Sequence, residues 1–226
     1  MTNFYPDVSN CDWGSEELTD AGQQKLLDFL SNLQGFAGVC HKMSQGSGFV
    51  DPYGLICKNW CAQNNLPFIG YQYATTDDPT AQVQTYLAAG GGPNVMIDFE
   101  DVDDNENALL DFDLFWALTN SFNAAGVNVQ LLYLPAWYWG DIGSPDLSAL
   151  APNGIQLISS AYPNGYTSGS AVDLYASSGG DTGEGFDPYG GATPSAWQFT
   201  SSCNVAFIQP IDCNAYPGAD INSLFG

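Results

Sequence analysis

The 226-residue sequence contains no arginine, only three lysines (Lys25, Lys42, Lys58) and a single histidine, His41, against 25 aspartates and glutamates. The formal charge of −22 therefore reflects a shortage of bases more than an abundance of acids. Neutralising phosphates takes Lys and Arg, so a nucleic-acid partner is excluded and phosphoryl transfer is disfavoured. An acidic excess of this kind fits a solubility adaptation or a high-salt setting. No apolar run approaches the roughly 18 residues of a membrane span. The opening Met1-Thr2-Asn3-Phe4 lacks the basic and apolar regions of a signal peptide. Neither membrane insertion nor an encoded Sec route is expected.

What is present is ample core material. Hydrophobic residues make up 45% and aromatics 14% of the chain, enough for one sizeable core, and no linker or internal repeat interrupts residues 1–226. A single domain is the expectation. The cysteines at 11, 40, 57, 61, 203 and 213 are even in number, compatible with disulfides or with reduced thiols. Cys57, Cys61 and His41 make a poor zinc set because no second ligand pair follows, so no metal is expected, and nothing calls for a cofactor.

Up to about residue 140, short apolar runs alternate with helical patterns, the signature of βα units around a parallel sheet. Strands are predicted at Phe4–Val8, Phe36–Cys40, Phe68–Gln72, Val95–Phe99 and Gln130–Tyr133. Asp20 with Gln23 resembles a capping box ahead of Leu26, Leu27, Leu30 and Leu33. Another helix is predicted from about Asn107, through Phe112, Phe115, Trp116 and Phe122, to Gly126. Beyond residue 150 helical periodicity fades, and Gly154–Ser160, Ala171–Ala176 and Ser195–Thr200 read as strands. The fold class predicted is α/β, a modified TIM-like barrel of five βα units followed by three strands.

Within Val95-Met96-Ile97-Asp98-Phe99-Glu100 an apolar strand acquires carboxylates. Side chains alternate along a strand, so Asp98 and Glu100 share a face while Ile97 and Phe99 point into packing. Such a pair matches the carboxylate dyad of a glycosidase, although a solvated rim or a cation site would read alike. In barrels of this kind the active site lies at the C-terminal strand ends. Collecting polar residues there gives Asp7, His41, Lys42, Tyr71, Tyr73, Asp98, Glu100, Tyr133, Trp137, Trp197, Gln198 and Asp212. Carboxylates beside flat aromatic faces suit a neutral sugar polymer.

The ordered set resembles the glycoside hydrolase family 25 lysozymes, which are N-acetylmuramidases. Tyr5-Pro6-Asp7-Val8-Ser9 matches the family's opening strand, and Val39-Cys40-His41-Lys42 with Phe49-Val50-Asp51-Pro52-Tyr53 its second strand and loop. Leu66 to Tyr71 is similar to the third strand and Val95 to Glu100 to the D-x-E strand. Leu132-Tyr133 with Trp137-Tyr138-Trp139, Ala196-Trp197-Gln198-Phe199 and Ile211-Asp212-Cys213-Asn214 follow in order. The resemblance implies cleavage of the β-1,4 bond between N-acetylmuramic acid and N-acetylglucosamine in peptidoglycan, with retention. It implies Glu100 as general acid/base, Asp98 as the assisting carboxylate, and Asp7 and Asp212 in support. Tyr71, Tyr73, Tyr133, Trp137 and Trp197 are the expected sugar platforms.

Four features depart from the family pattern: the basic residues usual around such grooves are nearly absent, Tyr71-Gln72-Tyr73 replaces the usual Tyr-His-aromatic, a Gly/Asp-rich segment precedes Trp197, and the short second helix carries Cys57 and Cys61. Two other readings stay open, a non-catalytic wall-binding domain of a phage or surface assembly and a barrel enzyme acting on chitin. The implied place of work is the bacterial cell wall, as an endolysin, a virion part or an extracellular enzyme. At least one disulfide is expected there, with Cys203–Cys213 the pair best placed by a hairpin-like return.

Overall fold

The computed structural model describes residues 2–205 and 208–226. The elements run β1 (Asn3–Val8), α1 (Asn10–Trp13), α2 (Asp20–Leu30), β2 (Val39–Gln45), β3 (Phe49–Val50), α3 (Gly54–Gln63), β4 (Phe68–Tyr73) and α4 (Pro79–Ala88). They continue with β5 (Asn94–Asp98), α5 (Phe112–Ala124), β6 (Asn128–Tyr133), α6 (Ala136–Asp141), β7 (Gln156–Ser160), α7 (Ala171–Ser177), β8 (Ala196–Val205), β9 (Ile208–Tyr216) and α8 (Asn222–Phe225).

Seven strands run parallel in the order β1, β2, β4, β5, β6, β7, β8. β9 turns back antiparallel to β8 and pairs antiparallel with β1, which closes the barrel. β3 is a two-residue arm on β2. The expected class, a modified α/β barrel, is the observed one.

Alternation along the strands separates two environments. On β5, Val95 and Ile97 face outward, joined beyond the strand by Phe99, into a cluster with Phe115, Leu118 and Phe122 of α5, while Met96 faces the barrel interior. Phe99 meets Phe115 edge-on at 6.1 Å between centroids. Burying each such side chain contributes about 1.5–3 kcal/mol. The interior itself is packed by Tyr5, Cys40, Ile69, Met96, Leu131, Ile158 and Ala196, and Leu224 and Phe225 of α8 join that cluster as a plug.

Several predicted boundaries moved. α2 is capped by Thr19, whose hydroxyl accepts from the Gly22 amide, so Asp20 is its first residue and not the cap. α5 begins at Phe112 after the Asp111 cap, and the preceding loop is held by a Val102–Ala108 bridge. The second strand spans Val39–Gln45 where Phe36–Cys40 was predicted. Ala171–Ala176 is helical. Ser170 accepts from the Asp173 amide, and the buried Ala171, Leu174 and Tyr175 follow the i, i+3, i+4 spacing of a helix face. The eighth barrel strand is β9, paired to β8 where the sequence shows only a short Ile211–Asn214 signal.

Candidate active site

Closure of the barrel brings carboxylates from distant parts of the chain to one mouth. Asp7, near the end of β1, stands opposite Asp212 of β9 in the antiparallel register. Asp98 ends β5 between Tyr73 of β4 and Tyr133 of β6. Backbone pairing continues past β5, since the Phe99 amide donates to the Tyr133 carbonyl at 3.0 Å, which carries Glu100 onto the same rim. The resulting cavity of about 360 Å³ is lined by all four carboxylates, with Lys42, Tyr71, Tyr73, Tyr133, Trp137, Ser160, Tyr162 and Gln198.

The cavity holds four acids and one cation, and burial decides their protonation. Desolvation, followed by the neighbouring Asp98, Asp212 and Asp7, raises the Glu100 carboxyl well above its ordinary range. Desolvation also pushes Asp98 up to about 7, against the pull of the Lys42 ammonium. Asp212 is pushed up to about 7 by burial and by Asp12. Asp7 is raised by burial and by the Asp98 and Asp212 charges. One Asp98 oxygen, Oδ1, is buried without a hydrogen-bond partner among the described residues. The set therefore holds protons near neutral pH, which a general acid requires.

Lys42 lies 5.1 Å from the Tyr73 ring centroid and 5.8 Å from that of Tyr71, and donates to Gln45 Oε1 at 3.2 Å. Tyr133 donates to Gln198 Oε1 at 2.9 Å, and Tyr162 donates to the same oxygen. Trp137 lies on α6 and is 50% exposed, its ring set edge-on to Tyr138. Tyr138 in turn fastens the acidic loop, donating to the Asp101 carbonyl at 2.6 Å and accepting from the Leu110 amide at 3.1 Å.

Asp7, Asp98, Glu100, Asp212, Tyr71, Tyr73, Tyr133 and Trp137 thus come together around one cavity. Trp197 does not. It is 0% exposed on the outer face of β8, its indole donating to the Ala161 carbonyl at 2.8 Å and packing against Phe186 at 5.6 Å. A Cβ on Gly185 would come within 2.2 Å of that ring, so the Gly-rich segment before β8 is the cover over Trp197. Gln198, one residue on, takes the inward position expected of the tryptophan.

His41 also faces away from the cavity: Trp13 donates to its Nε2 at 3.0 Å, which leaves Nδ1 to donate to the Lys42 carbonyl at 2.7 Å. Ser160 and Tyr162 were missed by sequence reasoning; the polar end of the β7 segment was the available signal. All six cysteines are thiols. The expected Cys203–Cys213 bond is not formed: Cys213 stands opposite Thr200 and Cys203 opposite Ile211, and the Cys213 thiol donates to the Asn214 carbonyl at 3.9 Å.

No protein-family model and no curated protein matches the sequence. Solved structures do match the fold. The muramidase from Trichobolus zukalii superposes with a TM-score of 0.68 at 14% identity, over 96% of this chain and 94% of that one. A family GH25 lysozyme from Aspergillus fumigatus gives 0.66 at 15% identity over 100% of both chains. The catalytic domain of endolysin ply40 from bacteriophage P40 of Listeria monocytogenes gives 0.64 at 16% identity, over 100% of this chain and 98% of that one. At such identities the likeness is one of architecture, and this chain has the barrel fold of the glycoside hydrolase family 25 lysozymes.

Proposed function

We propose that residues 1–226 form one catalytic domain that hydrolyses peptidoglycan at the β-1,4 bond between N-acetylmuramic acid and N-acetylglucosamine. The observation that carries this reading is the desolvated set Asp7, Asp98, Glu100 and Asp212 in an aromatic-rimmed cavity at the C-terminal strand ends. Glu100, raised by burial and by three neighbouring carboxylates, gives its proton to the leaving glycosidic oxygen as the bond to the anomeric carbon breaks. The substrate's own 2-acetamido oxygen attacks that carbon, forming an oxazolinium ion. Asp98 stabilises the positive charge and orients the acetamido group. Water then opens the ion at the anomeric carbon and returns a proton to Glu100, so configuration is retained.

Trp137, exposed at the rim, and the Tyr71, Tyr73 and Tyr133 rings supply the flat faces on which pyranose rings stack. The fold shared with muramidases and an endolysin catalytic domain supports a cell-wall glycan as substrate, and with it a place of action outside the bacterial cytoplasm. Among the described residues no helix is long and apolar enough to cross a membrane.

Incubation with purified peptidoglycan followed by mass spectrometry tests the reading. New reducing ends on muramic acid, formed as the retained anomer, are expected from the native protein. Glu100→Gln, which keeps the shape but has no proton to give, should lose about 10²–10⁴-fold in rate with binding and folding preserved. Near-native cleavage by that variant would mean another acid. A native protein that binds wall fragments yet releases no reducing ends would instead be a recognition domain.

A further inference from the structure

Two further grooves adjoin the cavity, one sharing Lys42 with it and the other Asp212. The groove beside Lys42 is lined by Asn10, Glu16, Phe49 and Asp77, and the one beside Asp212 by Tyr166, Ser168, Ser201 and Ser202. Tyr166 stands 86% exposed beside the second, a flat face available for a further sugar. A polymer lying along this path meets the exposed Glu16 and Asp77, the latter held below its ordinary range by hydrogen bonds from Ser47, and then the four central acids, which burial leaves partly protonated near neutral pH.

Among the described residues lining this path Lys42 is the one cationic side chain. Its ammonium is already engaged by two tyrosine rings and Gln45. The other two lysines are committed elsewhere, Lys25 to the Asp12 carbonyl at 2.6 Å and Lys58 to the Gly90 carbonyl at 2.6 Å. With no arginine in the chain, the groove has no second cation to receive a carboxylate from a ligand.

Peptidoglycan carries peptides on its muramic residues, and these peptides bear free carboxylates unless amidated. Like charges brought together at an interface disfavour binding strongly, and over distances beyond about 8 Å the repulsion is screened by physiological salt. Resting on the muramidase reading, we infer that this groove selects glycan strands whose peptide carboxyls are amidated and discriminates against carboxylate-rich strands. The neutral donors and aromatic faces of the path are left to recognise the sugar.

One peptidoglycan preparation, divided in three, tests this. The first portion is left untreated. The second has its carboxyls converted to amides with carbodiimide and ammonia, and the third has its free amines succinylated to add carboxylates. Initial rates of reducing-end release should give kcat/KM about tenfold or more higher on the amidated than on the untreated wall, and lowest on the succinylated wall. High salt should narrow the gap. Glu16→Lys, which reverses an exposed charge away from the four central acids, should raise cleavage of the untreated wall about twofold or more relative to the amidated one.

Equal or faster cleavage of the untreated and succinylated walls would overturn the inference. If none of the three releases reducing ends, the muramidase reading fails instead. Co-sedimentation of the protein with the same three walls then decides the charge preference by itself, equal binding to all three overturning it.

Discussion

The two ends of the barrel interior are built from the same strands and do opposite things. Going two residues toward the C-terminal end, Tyr5 gives way to Asp7, Cys40 to Lys42, Ile69 to Tyr71, Met96 to Asp98, Leu131 to Tyr133, Ile158 to Ser160 and Ala196 to Gln198. One step of the pleat converts a packed core into a cavity mouth. The lower layer is sealed by Leu224 and Phe225 of α8, so every apolar side chain has neighbours. The upper layer is open to ligand, and its acids are desolvated without being paired one to one. The core gains stability from burial, whereas the site gains protonated carboxyls from the same burial at a cost in stability.

That contrast can be broken from either side. The largest effect belongs to the upper layer, where Glu100→Gln should remove turnover while the melting temperature stays within a few degrees of native. Comparable in free energy, but in stability, is Trp197→Ala: emptying the space under the Gly183–Phe186 cover should cost about 3–5 kcal/mol in denaturant unfolding. If Trp197 were a sugar platform, binding would fall with little loss of stability. Below it comes Leu131→Ala in the sealed layer, expected to cost about 2–5 kcal/mol. A selective loss of activity without that cost would show that the two layers are not separable.

Smaller, and of opposite sign, is the effect of removing a site charge. Asp98 is raised from its ordinary value near 3.8 to about 7 in the folded state, so the folded protein binds more protons than the unfolded chain between those values. Stability contributed by the protonated form is present in full below about pH 4 and is lost as pH rises through about 7. Asp98→Asn should therefore stabilise the protein by about 1–3 kcal/mol at pH 8 and change little at pH 4, read from urea midpoints at both. A destabilised variant at pH 8 would mean that the charge is compensated.

Activity should follow the same titrations and give a bell-shaped profile. The acid limb lies near 7, where Asp98 and Asp212 ionise, and the alkaline limb lies where Glu100 loses its proton. Weakest of all is Trp137→Ala. With half its surface already exposed, it should melt near the native temperature and bind glycan several-fold more weakly.

Much of this was legible in the chain. Alternation along Val95–Glu100 put Asp98 on the face opposite Ile97 and Phe99, and the order of short motifs pointed to a barrel and to the acids around its mouth. The absence of arginine made a nucleic-acid partner an unfavourable expectation before any fold was considered. What sequence left undecided has a common cause. A period of two states that Trp197 and Gln198 face opposite ways, but which one is inside depends on where the sheet closes and on the glycine-rich segment that lies over the indole. Ala171–Ala176 reads as a strand until its buried residues are known to lie three and four apart. Asp212 becomes Asp7's neighbour only because β9 returns antiparallel between β8 and β1, a pairing between residues more than two hundred positions apart that no local pattern encodes. Local chemistry along the chain determined what kinds of side chain each strand carries; closure of the barrel decided which of them share a cavity, because burial and proximity are properties of the packed whole.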